Sequence, residues 1–167
     1  MGKRGREITG LDVDKLIEKL NKALADEWLA YYQYWIGAKI VNGPLRGDAE
    51  AELLEHSQDE LRHAEMIADR IDQLGGTPVL EPKQWYEITN CGYEVPKDPY
   101  IEEILKQNIK GEQCAIDVYK ELVDYTEGKD QITYNIALEI MRDEVEHEDD
   151  LEAILEDLNI ERDKMRS

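Results

Sequence analysis

Asp59-Glu60-Leu61-Arg62-His63 and Asp143-Glu144-Val145-Glu146-His147 are two versions of one stretch, 84 positions apart. On a helix, positions i and i+3 share a face. Each stretch therefore aims one carboxylate and one imidazole the same way. A single Glu-x-x-His means little in a chain with 39 acidic residues. Two copies that use two of only three histidines are a pattern.

Working outward, both stretches sit on apolar stripes of helical period. The stripe around Glu60 reads Ala49, Leu53, His56, Glu60, His63, Ile67, Ile71, Leu74. The one around Glu144 reads Thr133, Ala137, Ile140, Glu144, His147, Leu151, Ile154, Leu158. Steps of three and four mark the inward face of a bundle helix. Two further stripes each carry a glutamate mid-way. Val13, Ile17, Leu20, Leu24, Tyr31, Tyr34, Ala38 and Val41 leave a gap that Glu27 fills, and Glu112 interrupts Ile101, Leu105, Asn108, Ala115, Tyr119 and Leu122.

The spacing thus predicts an all-α, four-helix bundle over residues 11–158. The first helix starts at an Asp12 N-cap and ends near Asn42-Gly43-Pro44; the second runs from about Gly47 to Leu74. The third starts at an Asp98-Pro99 cap and ends near Gly128; the fourth runs from about Asp130 to Leu158. Residues 75–98 hold Pro78, Pro82 and Pro96, with a short helical turn around Gln84-Trp85-Tyr86. A connection this long fits a crossover between the second and third helices that travels the length of the bundle. Residues 1–10 read as a flexible basic tail and 159–167 as a short polar tail.

The halves repeat. Glu27 precedes His63 by 36 positions and Glu112 precedes His147 by 35; Tyr34 and Tyr119 each follow their glutamate by seven. Two hairpins related by a pseudo-two-fold axis would bring Glu27, Glu60, His63, Glu112, Glu144 and His147 together. Four carboxylates in one interior cannot all stay ionised unless cations join them. Two divalent ions would cancel the four charges. Oxygen-rich ligation with one nitrogen per ion favours iron, with manganese possible, over structural zinc. For one glutamate a solvated helix face is the ordinary explanation. Six such residues on inward stripes, in a two-fold repeat, are hard to explain that way.

The net charge of −19 opposes binding to nucleic-acid phosphates or an anionic membrane, and suits cations. Lys3, Arg4 and Arg6 are the only DNA-binding candidates. No signal-peptide pattern follows the basic start and no stretch is apolar enough to span a bilayer, which points to the cytoplasm.

Ala25-Asp26-Glu27-Trp28-Leu29-Ala30-Tyr31-Tyr32-Gln33-Tyr34, Glu60-Leu61-Arg62-His63 and Arg142-Asp143-Glu144-Val145-Glu146-His147 resemble bacterioferritins, over about residues 12–158. Cys91, and Cys114 within Glu112-Gln113-Cys114-Ala115, look more like the Dps-like ferritins. The resemblance implies a ferritin-like fold, two iron ions per subunit on the six residues named, and a dodecameric homo-oligomer. It also implies a ferroxidase using hydrogen peroxide or dioxygen on Fe(II), with iron storage and protection against oxidative stress. The alternative in the same superfamily is a di-iron or di-manganese peroxidase that stores nothing. Bacterioferritins carry a haem-ligating methionine where this chain has Leu61, so no haem is expected.

The remaining residues have two readings each. Cys114 lies about 200° around the helix from Glu112 and should not face the same metals. By resemblance Cys91 and Cys114 are a redox pair flanking the site; otherwise they are buried thiols. Asp59 and Asp143 could accept the outer ring N–H of the opposite histidine or be exposed acids. His56 is a satisfied core histidine, or it bonds a ligand or holds an incoming ion. Tyr34 and Tyr119 could bond a ligand or supply electrons, or be core.

Overall fold

The computed structural model describes residues 3–166, and the side chains of residues 3–165. Four long helices form the bundle: α2 (Val13–Ile40), α3 (Arg46–Gln73), α5 (Ile101–Thr126) and α6 (Gln131–Arg166). Two short ones lie outside it: α1 (Lys3–Glu7) before the bundle, and α4 (Trp85–Ile88), which follows a 3₁₀ turn at Pro82–Gln84 in the crossover. At about 1.5 Å per residue the long helices span roughly 40 Å or more.

Backbone hydrogen bonds fix the topology. Asn42 N donates to Pro99 O and Ile101 N to Asn42 O, both at 2.9 Å. The end of α2 thus abuts the start of α5. The turn after α2 also delivers α3 to that end, so α3 and α5 run parallel, which only a long return connection permits. At the opposite end Gly10 N donates to Lys129 O at 2.8 Å, tying the approach to α2 to the α5–α6 turn. Gly76 shows how closely the crossover begins against α2: a Cβ there would lie 2.8 Å from Ile17 Cγ2.

Several boundaries differ from those the sequence suggests. Asp12 caps α2 as expected, its carboxylate accepting from Asp14 N and Lys15 N. Asp98 does not cap α5. Its carboxylate accepts from Tyr100 N at 2.9 Å, while pairing with Asn42 keeps residues 99 and 100 extended, so the helix starts at Ile101. The fourth helix does not stop at Leu158. Arg162 reaches from the added turns to Glu102 Oε2 at 2.9 Å, and α6 continues to Arg166. The basic tail is helical over Lys3–Glu7, and Arg6 donates to Leu74 O and Asp14 Oδ1, each at 2.9 Å. Met1, Gly2 and Ser167, the outer ends of those two expected tails, lie outside the described residues.

The core is divided. One apolar cluster joins Leu16, Leu20, Leu24, Ile67, Ile71, Leu122 and Ile140. A second joins Ala38, Val41, Leu53, Ile101, Leu105 and Leu151. Each fully buried leucine or isoleucine contributes about 1.5–3 kcal/mol, so two such clusters can carry a polar layer between them. Glu27, Glu60, His63, Glu112, Glu144 and His147 make that layer, and each is at most 3% exposed.

A second buried polar network closes the α5–α6 end. The Asp130 carboxylate accepts from Ile132 N and Thr133 N, capping α6, and from Arg70 Nη2 at 2.8 Å. Arg70 also donates to Thr133 Oγ1 at 2.9 Å. Asp130→Ala removes the cap and leaves the buried guanidinium unpaired. It is expected to lower stability by about 3 kcal/mol or more, read from thermal and denaturant unfolding.

Candidate metal centre

The six residues meet because each occupies the mid-point of its helix stripe. Glu27 comes from α2, Glu60 and His63 from α3, Glu112 from α5, and Glu144 and His147 from α6. His63 Nδ1 lies 3.4 Å from Glu27 Oε2, 3.3 Å from Glu144 Oε1 and 3.8 Å from Glu60 Oε2. His147 Nδ1 lies 3.3 Å from Glu144 Oε2, 3.5 Å from Glu60 Oε1 and 3.8 Å from Glu112 Oε2. The set thus splits into two overlapping groups: Glu27, Glu60, His63, Glu144, and Glu60, Glu112, Glu144, His147. Within each group, one ligand atom per residue lies within 4.8 Å of all the others. Glu60 and Glu144 belong to both groups, while Glu27 and Glu112 each belong to one.

The hydrogen bonding shows which atoms are spoken for. Tyr119 donates to Glu27 Oε1 and Tyr34 to Glu112 Oε1. His63 Nε2 meets Asp143 Oδ2 at 3.0 Å, and His147 Nε2 lies 3.5 Å from Asp59 Oδ2. The atoms facing inward have no hydrogen-bond partner: Glu27 Oε2, Glu60 Oε1, His63 Nδ1, Glu112 Oε2, both Glu144 oxygens and His147 Nδ1. Seven orphaned polar atoms in one buried place are costly, because polar groups out of water are normally paired. As donors, oxygen atoms with one imidazole nitrogen per group fit a pair of divalent first-row cations. The outer bonds of His63, Glu27 and Glu112 are the kind that hold metal ligands in orientation, and His147 Nε2 stands within ion-pair reach of Asp59.

Charge follows the same geometry. Burial, then the Glu60 charge, raises the Glu27 carboxyl well above its usual range; burial with Glu144 and Glu60 does the same to Glu112. Glu144 moves the other way: burial would raise it, but contacts with His147 and His63 prevail and hold it low. Burial alone would lower both imidazoles. Glu144, Glu27 and Glu60 nevertheless raise His63, and Glu144 and Glu60 push His147 up to about 10. Protons on Glu27, Glu112, His63 and His147 are thus one way to balance the chamber, and cations are the other.

The remaining candidates fall around this centre. Cys91 and Cys114 form a disulfide, with Cα atoms 5.8 Å apart. Both cysteines line the cavity, of about 490 Å³, that Glu27, Glu60 and Glu112 also line, and among the described residues neither sulfur belongs to the two groups of candidate ligands. The cavity runs between α2 and α5 to exposed Glu94 and Lys110. His56 is buried and stacked on His147 with ring centroids 4.0 Å apart; burial, then the His147 charge, lowers its pKa to about 3.

Two residues of the surroundings were not evident from the sequence. Arg62 Nη2 donates to Asp143 Oδ2 at 2.6 Å and to Asp59 Oδ1 at 3.2 Å, bridging the two aspartates behind the imidazoles. Its place between Glu60 and His63 was the available signal, but its repeat partner is Glu146, so the two-fold pattern hid it. Asp26 accepts from Thr89 Oγ1, from Asn90 N and Cys91 N at 2.8 and 3.0 Å, and from Asn90 Nδ2 at 2.6 Å. It pins the loop that carries Cys91 to the helix that carries Glu27.

Comparison with known proteins places this geometry in context. A family profile described as a ferritin-like domain matches residues 17–160. The DNA protection during starvation protein of Pyrococcus furiosus is 41% identical over 151 residues, which make up 89% of this chain and 81% of that protein. The bacterioferritin of Rhodobacter capsulatus is 33% identical over 139 residues, 83% of this chain and 81% of that one. Among solved structures, the bacterioferritin-related protein from Bacteroides fragilis, described as a dodecameric thioferritin, superposes with a TM-score of 0.96. It shares 45% identity over 98% of both chains.

Cations compete with protons for the raised carboxyls of Glu27 and Glu112 and the raised imidazoles of His63 and His147. Loading the chamber is expected to release protons, so that affinity rises with pH. Calorimetry in buffers of different ionisation enthalpy measures the number.

Proposed function

The chain belongs to the ferritin-like domain family, and on that premise we propose that its buried chamber binds two Fe(II) ions as substrate and passes their electrons to hydrogen peroxide or dioxygen. The Fe(III) product is stored inside a homo-oligomeric cage, a dodecamer in this reading. The observation that carries the proposal is the set of seven inward-facing, unpartnered oxygen and nitrogen atoms on Glu27, Glu60, His63, Glu112, Glu144 and His147.

The chemistry balances with a pair of ions. Each Fe(II) gives one electron, and peroxide takes two electrons and two protons to become two waters. Removing both electrons in one place avoids release of hydroxyl radical, which is the basis for protection against peroxide. The chain's own part is to hold and orient. Glu60 and Glu144 each face both positions. Tyr119 and Tyr34 occupy one oxygen of Glu27 and Glu112 and leave the other free. Asp143 accepts the outer N–H of His63, which directs the Nδ1 lone pair inward. The cavity lined by the disulfide connects the chamber to Glu94 and Lys110 and gives a small oxidant a route. Cys91 and Cys114, in contact with that route, are the redox pair of this proposal.

The assembly rests on likeness to the Bacteroides fragilis protein, which is described as dodecameric. Leu61 in place of a haem-ligating methionine argues for a haem-free protein. The name of the Pyrococcus furiosus relative mentions DNA, but two of the three tail cations here are already paired, Arg4 with Glu7 and Arg6 with Asp14. With a net charge of −19, protection by iron chemistry rather than by coating DNA is the better reading. No helix among the described residues is long and apolar enough to cross a membrane, in keeping with the proposed cytoplasmic location.

Anaerobic Fe(II) titration is expected to saturate at about two ions per chain in the chamber, followed by fast oxidation on adding peroxide or air. Glu60→Ala, which removes a carboxylate shared by both positions, abolishes the fast phase. Asp143→Asn weakens binding by about 10–100-fold while keeping the fold. Particle mass decides between a storing cage and a small peroxidase. Saturation well below two ions overturns the site, and a dimer overturns storage.

A further inference from the structure

One buried imidazole contributes no atom to the dinuclear chamber. The His56 side chain is 2% exposed, and its Nδ1 has no hydrogen-bond partner. Its Nε2 points at two carboxylates, 3.1 Å from Glu52 Oε1 and 3.7 Å from Asp150 Oδ2. Ligand atoms of these three residues all lie within 4.8 Å of one another.

The helices build this group deliberately in space. Glu52 precedes His56 by one turn of α3, so both share a face. Asp150 follows His147 by three residues on α6 and so projects alongside it. Glu52 and Asp150 are half-buried and reachable from solvent, whereas His56 is sealed. The ring is held by packing: it stacks on His147 and meets the Tyr34 ring edge-on at 5.3 Å. A rigid buried ring whose Nε2 is aimed between two carboxylates, while its Nδ1 has no partner, is a poor arrangement for packing alone, since it gathers two like charges beside one nitrogen.

We propose that Glu52, His56 and Asp150 form a third cation site, for a divalent first-row transition ion. One imidazole nitrogen with two carboxylate oxygens suits Fe(II), Mn(II), Co(II) or Zn(II) better than calcium or magnesium, which prefer all-oxygen shells. Three protein ligands with two solvent-reachable arms leave water in the remaining positions and make the ion exchangeable. The ion is separated from the chamber by one stacked pair of rings. Its role as a holding place for Fe(II) rests on the ferroxidase reading; the site itself does not.

The test uses Co(II), which binds such donors without being oxidised by the assay. Metal-stripped whole protein is dialysed anaerobically against Co(II), and bound metal is counted by elemental analysis. Wild type is expected to hold about three ions per chain, against about two in Asp150→Asn and in Glu52→Gln. Both changes are at partly exposed positions, and circular dichroism verifies that the helices persist. Glu60→Ala is expected to lose the pair and keep the single ion. Two ions in wild type, or three that neither substitution reduces, overturns the proposal. One ion in wild type that Asp150→Asn abolishes supports this site and refutes the dinuclear reading, so the two failures are distinguishable.

Discussion

Repulsion among four carboxylates in a dry interior is the constraint around which this bundle is arranged. Glu27, Glu60, Glu112 and Glu144 sit within a layer that water scarcely reaches. Unbalanced charges at such distances interact by several kcal/mol even at an effective dielectric of about 20. The fold does not remove the problem by pairing each acid with a lysine or arginine. It holds the outer atoms of two of them, with Tyr119 on Glu27 and Tyr34 on Glu112, and sets the two imidazoles against Glu60 and Glu144. The balance must come from something mobile, protons or metal ions. Two apolar clusters, one on each side of the layer, supply the stability that the layer does not.

The pseudo-two-fold design extends past the ligands and then breaks. Asp143 backs His63 and Asp59 backs His147, each from the opposing helix. The distances are unequal, 3.0 against 3.5 Å. Arg62 accounts for part of this: it binds Asp143 at 2.6 Å and Asp59 at 3.2 Å, and its repeat counterpart is the exposed Glu146. His56 is a second break, since its neighbour across the stack is His147 and no equivalent ring adjoins His63 among the aromatic contacts of the described residues. Two chemically similar positions therefore sit in electrostatically different surroundings.

The fold and the six inward residues were legible because one periodicity encodes both. A polar residue on an apolar stripe betrays itself by its position, as Glu27 and Glu112 do. What the sequence left dark depends on contacts between distant segments. The start of α5 moved from Asp98 to Ile101 because Asn42, far away in sequence, pairs with the intervening residues. The run of α6 beyond Leu158 depends on Arg162 meeting Glu102 across the bundle. The pairing of Cys114 with Cys91 depends on the crossover, which a wheel drawn for one helix does not contain. The roles of Arg62 and Asp26 depend on partners 81 and 64 positions away.

The crossover is accordingly more than a tether. Asp26 and Glu27 are adjacent on α2 and point to different tasks. Asp26 gathers the Thr89 hydroxyl, two backbone amides and the Asn90 side chain, and Glu27 faces the chamber. Any displacement of residues 89–91 must then either break those bonds or pull on the turn of α2 that positions Glu27. The disulfide fastens the same loop to α5 two residues beyond Glu112. One short segment thus ties together the two helices that each contribute a single glutamate. The other two helices, bearing Glu-x-x-His, need no such strap, because each carries two ligands on one rigid turn. The long connection, which topology requires for parallel α3 and α5, also holds the ligands that helical geometry alone leaves least constrained.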